Sequence, residues 1–167
     1  MNYVAYIVYG KNDGYFLGAK FSILSLIANS SDELKIVVLT DNENYFQGLP
    51  VTTLPLSQHE KNNWSLNDRY HFRIKNRGLN KIITTLDLPN EDKIIAIDTD
   101  TYFKQSIKPI FDTIDNVNST IFRNEGKIRE KPRFKVYKDA LDGKSFKTPS
   151  GSTYTLSADA EMWGTLL

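Results

Sequence analysis

Tyr3-Val4-Ala5-Tyr6-Ile7-Val8-Tyr9-Gly10-Lys11-Asn12-Asp13-Gly14 decides the fold. Its first seven residues are almost wholly apolar, with β-branched and aromatic side chains on both alternating faces. A strand of this kind is covered on both sides, as in the interior of a parallel sheet. A turn holding two glycines closes it. Behind the turn, Phe16, Ala19, Ile23, Leu24 and Ile27 recur at helical spacing and predict one apolar stripe over about three turns. Asn29-Ser30-Ser31-Asp32 ends that helix. Leu34 to Thr40 is a second apolar strand, closed by Asp41-Asn42. Strand, helix and strand form a βαβ unit, for which a right-handed parallel crossover is strongly preferred.

Further along, Val51 to Leu56 reads as a weaker strand between Pro50 and Pro55, and Gln58 to Asp68 as a polar loop. Ile74 to Leu86 predicts a second helix with Leu79, Ile82, Ile83 and Leu86 on one face, broken at Pro89. Lys93-Ile94-Ile95-Ala96-Ile97 is another apolar strand. These elements predict an α/β, doubly wound architecture. Beyond Phe103 the pattern weakens. A helical turn at Pro109-Ile110-Phe111, a short strand at Thr120-Ile121-Phe122 and a β-hairpin over 144–156 are the readings there.

The whole chain has 167 residues, with 21 Lys+Arg against 20 Asp+Glu and no Cys. That length suits a single domain. Near-neutral charge argues against a dedicated nucleic-acid binder, and the absence of Cys removes disulfides, thiolate metal sites and thiol nucleophiles. No apolar run reaches the roughly 18 residues of a membrane span. A cytoplasmic protein, at most peripheral to the inner face of a membrane, fits this composition. Glu43-Asn44-Tyr45-Phe46-Gln47-Gly48, between two patterned segments, reads as a native loop rather than a tag remnant. The apolar end Met162 to Leu167 suggests that part of the sheet lies beyond this sequence.

Asp98-Thr99-Asp100, directly after the apolar strand, is the sharpest chemical feature. Open α/β sheets bind ligands at the carboxyl ends of their strands. In extended chain the two carboxylates project to one side and repel unless a cation joins them. Mg²⁺ or Mn²⁺ takes such oxygen ligands, leaves positions for substrate phosphates, and offsets charge on a diphosphate leaving group. A solvated strand end is the bland alternative. An EF-hand is excluded, because Tyr102 and Phe103 stand where further oxygen ligands belong. A haloacid-dehalogenase-like phosphatase resembles the strand and its two aspartates, but Tyr102 replaces the Thr of that pattern. Arg73, Arg77 and Lys81, at i, i+4 and i+8, form a cationic stripe on the preceding helix that could meet a diphosphate. The turn after the first strand could bring backbone close to a ligand, with Tyr9 stacking on a base. His59 and His71 have no partner at ligand spacing.

With these pieces in order, the chain resembles the N-terminal part of a GT-A-fold glycosyltransferase, most closely the family 8 group that includes glycogenin and the lipopolysaccharide galactosyl- and glucosyltransferases. The resemblance covers about Tyr3 to Thr113. It rests on the first strand with Phe21 to Leu26, and on Lys81-Ile82-Ile83 with Lys93 to Thr101. It implies a GT-A, Rossmann-like sheet and transfer of a hexose from a nucleotide-diphospho-sugar, such as a UDP-hexose, to a glycan or lipid-linked acceptor. By the same resemblance, Asp98 and Asp100 hold Mn²⁺ or Mg²⁺, with Asp98 also near the ribose and Thr99 in the nucleotide-sugar site. Lys81 stands where the family has Arg near the diphosphate, beside Arg77. Tyr9, Gly10 and Lys11 wrap the nucleobase, and Asp41 is a further nucleotide contact. Two departures stand out: no His follows Asp100, and Met162-Trp163-Gly164 carries no Asn where the family's donor-sugar segment has one. No residue is assigned as base or nucleophile, and the chain fits half to two-thirds of a catalytic unit.

Overall fold

A computed structural model describes residues 1–30, 33–115, 123–148 and 151–164. The chain divides into two compact units, Met1–Ser119 and Thr120–Leu166.

In the first unit the apolar segments pair as expected. β1 (Asn2–Val8), β2 (Leu34–Thr40), β3 (Thr52–Pro55) and β4 (Lys93–Ile97) form a four-stranded parallel sheet in the order β3-β2-β1-β4. β1 is central, which is why both its faces are apolar: Val4, Ala5, Tyr6 and Val8 are all buried. From β1 the chain steps outward to β2 and β3, then returns to place β4 on the other side of β1. The strand order therefore reverses between β1 and β4, the topological switch point of a Rossmann-like α/β sheet. No helix among the described residues is long and apolar enough to cross a membrane.

Helices cover both faces. α1 (Asp13–Asn29) starts at Asn12, whose side chain accepts the Gly14 N–H. It packs Phe16, Ala19, Ile23 and Leu26 against Val4, Tyr6, Val8 and Val38. Leu24 and Ile27, expected on the buried stripe, are instead exposed, while Ser22, Ser25 and Leu26 are buried. The buried arc turns because both serines find partners. Ser22 Oγ lies 2.9 Å from the Tyr6 hydroxyl, and Ser25 Oγ accepts the Phe103 N–H at 3.0 Å. Burial pushes the Tyr6 phenol up to about 12, only partly offset by Ser22.

The opposite face holds α2 (Gln58–Trp64) and α3 (Phe72–Thr85). α2 lies where a polar loop was expected. Its cause is a capping box: Ser57 Oγ accepts the Glu60 N–H at 3.2 Å, and Glu60 accepts the Ser57 N–H at 2.9 Å. α3 buries Ile74, Gly78 and Ile82 against Ala5, Val37 and Leu39. The expected Leu79 and Leu86 pack beside them, partly buried. Glu43–Phe46 forms a 3₁₀ turn that buries Phe46 in the core, as suits a native segment.

After β4, α1 fixes the outgoing chain. Ser25 holds the Phe103 N–H, and Asn29 Nδ2 donates to the Phe103 carbonyl at 3.1 Å. Phe103, Ile107 and Phe111 then join the core, Phe111 from α4 (Lys108–Asp112), the helical turn expected near Pro109. Ser25→Ala leaves the buried Phe103 amide without this acceptor. A loss of about 1–3 kcal/mol is expected, read as a lower urea midpoint at unchanged slope.

In the second unit, β5 (Arg123–Lys127) pairs antiparallel with β8 (Glu161–Gly164), with an irregularity between Asn124 and Gly126. α5 spans Lys135–Leu141. β6 (Ser145–Lys147) and β7 (Thr153–Thr155) form the expected hairpin. The strand read at 120–122 lies outside the described residues.

Candidate functional site at the carboxyl edge of the sheet

Three adjacent strands deliver their ends to one edge of the first unit. β2 ends at Thr40 and is followed by Asp41; β1 ends at Val8 and is followed by Tyr9-Gly10; β4 ends at Ile97 and is followed by Asp98. The last registered pair of β1 and β4 is Tyr6 with Ile97, so Asp98 leaves the sheet while β1 still has two residues to run. The acidic turn and the glycine turn thus flank the switch point.

Asp98 and Asp100 do not continue the strand. The Thr101 N–H donates to the Asp98 carbonyl at 3.2 Å, closing a turn around Thr99-Asp100. The extended geometry used to place both carboxylates on one side is therefore replaced by a turn. Asp98 is partly buried and Asp100 exposed. The turn rests on α1: a Cβ at Gly18 would come 2.8 Å from the Thr99 carbonyl oxygen, closer than real Cβ contacts allow. Only glycine lets the helix pass there.

The cation beside Asp98 is Lys75, from the first turn of α3, which forms an ion pair with it. The Arg73/Arg77/Lys81 stripe does not supply it. Lys81 is turned toward the β3 end, donating to the Pro55 carbonyl and to Glu60 Oε1, each at 2.7 Å. Burial raises the Glu60 carboxyl, but the Lys81 and Ser57 hydrogen bonds outweigh it and hold the group below its usual range. Arg77 is exposed and Arg73 partly buried. Lys75 was missed because periodicity along α3 says nothing about which turn of the helix passes the end of β4.

A second couple lies on the other side of β1. Asp41 accepts the Gly10 N–H at 3.1 Å and pairs with Lys61 of α2 at 2.5 Å. Asp41 thereby ties the glycine turn to β2, where sequence reading had given it only a nucleotide contact. Gly10 has φ +110° and open space where a side chain would be, so backbone is accessible there. Lys11 is exposed. The Tyr9 ring packs partly buried beside the α3-side core; burial, then Tyr15 and Asp41, raises its phenol above the usual range.

Among the described residues no three His, Asp or Glu side chains converge as a metal group. The donor set at 98–100 nevertheless suits a hard divalent cation. It offers two carboxylates within one turn, and an ammonium already stands as the positive charge beside one of them. Mg²⁺ in phosphate sites takes one or two carboxylates and completes its shell with phosphate oxygens and water. The chain matches no protein-family model, no curated protein and no solved structure, so its sheet order and these side chains alone carry the functional reading.

Proposed function

We propose that the first unit is the donor site of a metal-dependent glycosyltransferase of GT-A type, moving a hexose from a nucleotide-diphospho-sugar, such as a UDP-hexose, to a glycan or lipid-linked acceptor. One observation carries this reading: the acidic Asp98–Asp100 turn and the open Gly10 turn flank the switch point of a parallel sheet. Asp98 and Asp100 would hold Mg²⁺ or Mn²⁺, which when bound offsets charge on the departing diphosphate. The chain's own groups do the rest. Gly10 admits a ligand close to backbone, Asp41, itself paired with Lys61, holds that turn, and α1 passes close to the acidic turn at Gly18.

A second reading, nucleotide-sugar binding without transfer, uses the same residues, because none of those brought to this edge is assigned as a base or nucleophile. Calorimetric titration with UDP, with and without Mn²⁺, tests the site. Binding that requires Mn²⁺ is expected. Failure to bind UDP, together with hydrolysis of simple phosphate esters, would favour a phosphatase instead. Release of UDP from a UDP-hexose, to water or to an acceptor, then separates a transferase from a binder.

A further inference from the structure

We propose that Lys75 is an exchangeable positioning residue of this site: it neutralises Asp98 in the ligand-free protein and moves to the donor's diphosphate when a divalent cation takes Asp98. The proposal rests on the donor-site reading above and adds an order of binding to it. Its basis is the contrast between the two lysines of α3. Lys81 is anchored by two acceptors, one of them backbone, and its partner Glu60 is itself held by Ser57. Lys75 meets Asp98 with half of its side chain still exposed, whereas Asp98 is only one-fifth exposed. An ion pair that open to water is weak, and a lysine ammonium on a flexible four-carbon stem swings without disturbing the helix.

An ammonium and a divalent cation on one carboxylate repel each other at close range, so Lys75 weakens the hold of Asp98 on a metal. Without nucleotide, Lys75 opposes metal binding. With a diphosphate present, new anionic oxygens arrive beside the metal, and the displaced ammonium has a partner again. Lys75 therefore has opposite effects on the two ligands. Metal alone is held weakly and metal with nucleotide is held well, which makes the nucleotide the signal that completes the site.

Lys75→Met removes the charge and keeps most of the apolar stem. Mn²⁺ binding without nucleotide, counted by the electron paramagnetic resonance of free Mn²⁺, is expected to tighten by up to about fivefold. UDP binding at saturating Mn²⁺, read by calorimetry, is expected to weaken by about tenfold. Lys75→Arg restores UDP binding while leaving Mn²⁺ alone suppressed, a pattern that a merely structural lysine does not give. Affinities that shift in the same direction, or a change in neither, overturn the exchange while leaving the donor site standing. Wild-type protein that binds no UDP in the presence of Mn²⁺ removes the donor site and the exchange together.

Discussion

Asp98→Asn is expected to abolish Mn²⁺-dependent UDP binding while leaving the fold nearly unchanged. Asparagine matches aspartate in size and still offers one oxygen, but it carries no charge to hold a divalent cation. Replacing groups that merely orient a metal ligand costs about 10–100-fold in affinity, so loss of a ligand itself should cost at least that much. Stability should move little. The Lys75 pair is open to solvent, and exposed pairs contribute about 0–1 kcal/mol. The turn is held by backbone, through the Thr101 N–H and the Asp98 carbonyl, which the substitution leaves in place. Calorimetry with UDP and Mn²⁺, run beside urea denaturation, separates the two quantities. UDP affinity within twofold of wild type would remove Asp98 from the metal site. Asp100→Asn should follow the same pattern, since the reading asks both carboxylates to hold one cation.

The sheet was legible from the sequence and much of its electrostatics was not, for physical reasons that particular residues show. β1 and β2 are apolar on both faces, a pattern that few environments other than a covered parallel sheet accept; β4 carries the same pattern at the sheet's edge, where its residues are only partly buried and Ala96 is exposed. α1 is apolar nearly all round, and a stripe chosen by hydrophobicity alone selects Leu24 and Ile27. The buried arc instead includes Ser22 and Ser25, whose hydroxyls are satisfied by Tyr6 and Phe103 on distant segments. Hydrophobic periodicity cannot register a polar residue buried for its partner. α2 was hidden by its polar composition, although Ser57-Gln58-His59-Glu60 carries the capping signature that starts it.

The candidate site divides in the same way. Asp98 was placed by sequence, because a strand end is a local feature. Lys75 was not, because its meeting with Asp98 depends on where α3 crosses the sheet. Lys81 was chosen for its i, i+4, i+8 spacing and for the family position it resembles, and the structure gives it to Pro55 and Glu60. Spacing tells which cations share a helix face; packing decides what that face meets.

Gly18→Ala is the substitution expected to link packing to the site most directly. In an ordinary helix interior this change favours folding by about 1 kcal/mol, since alanine loses less backbone entropy. Here the added Cβ would stand 2.8 Å from the Thr99 carbonyl oxygen. The obstacle is backbone rather than the end of a flexible side chain, so no rotamer change relieves it. The turn cannot simply retreat either. Two residues beyond it, Phe103 is bonded through its N–H to Ser25 and through its carbonyl to Asn29, both on the same helix as Gly18. Overpacking of this kind costs about 1–3 kcal/mol, which cancels or exceeds the propensity gain. A net loss of up to about 2 kcal/mol is expected from these two opposing contributions. The accompanying shift of Thr99 moves the turn that carries Asp98 and Asp100, and UDP affinity in Mn²⁺ should fall by about tenfold or more, as when a metal's supporting groups are disturbed. The combination distinguishes the two variants: Asp98→Asn loses binding alone, whereas Gly18→Ala loses binding and stability together. A Gly18→Ala protein that melts higher than wild type and still binds UDP in Mn²⁺ would show that the approach of α1 to Thr99 does not position the acidic turn.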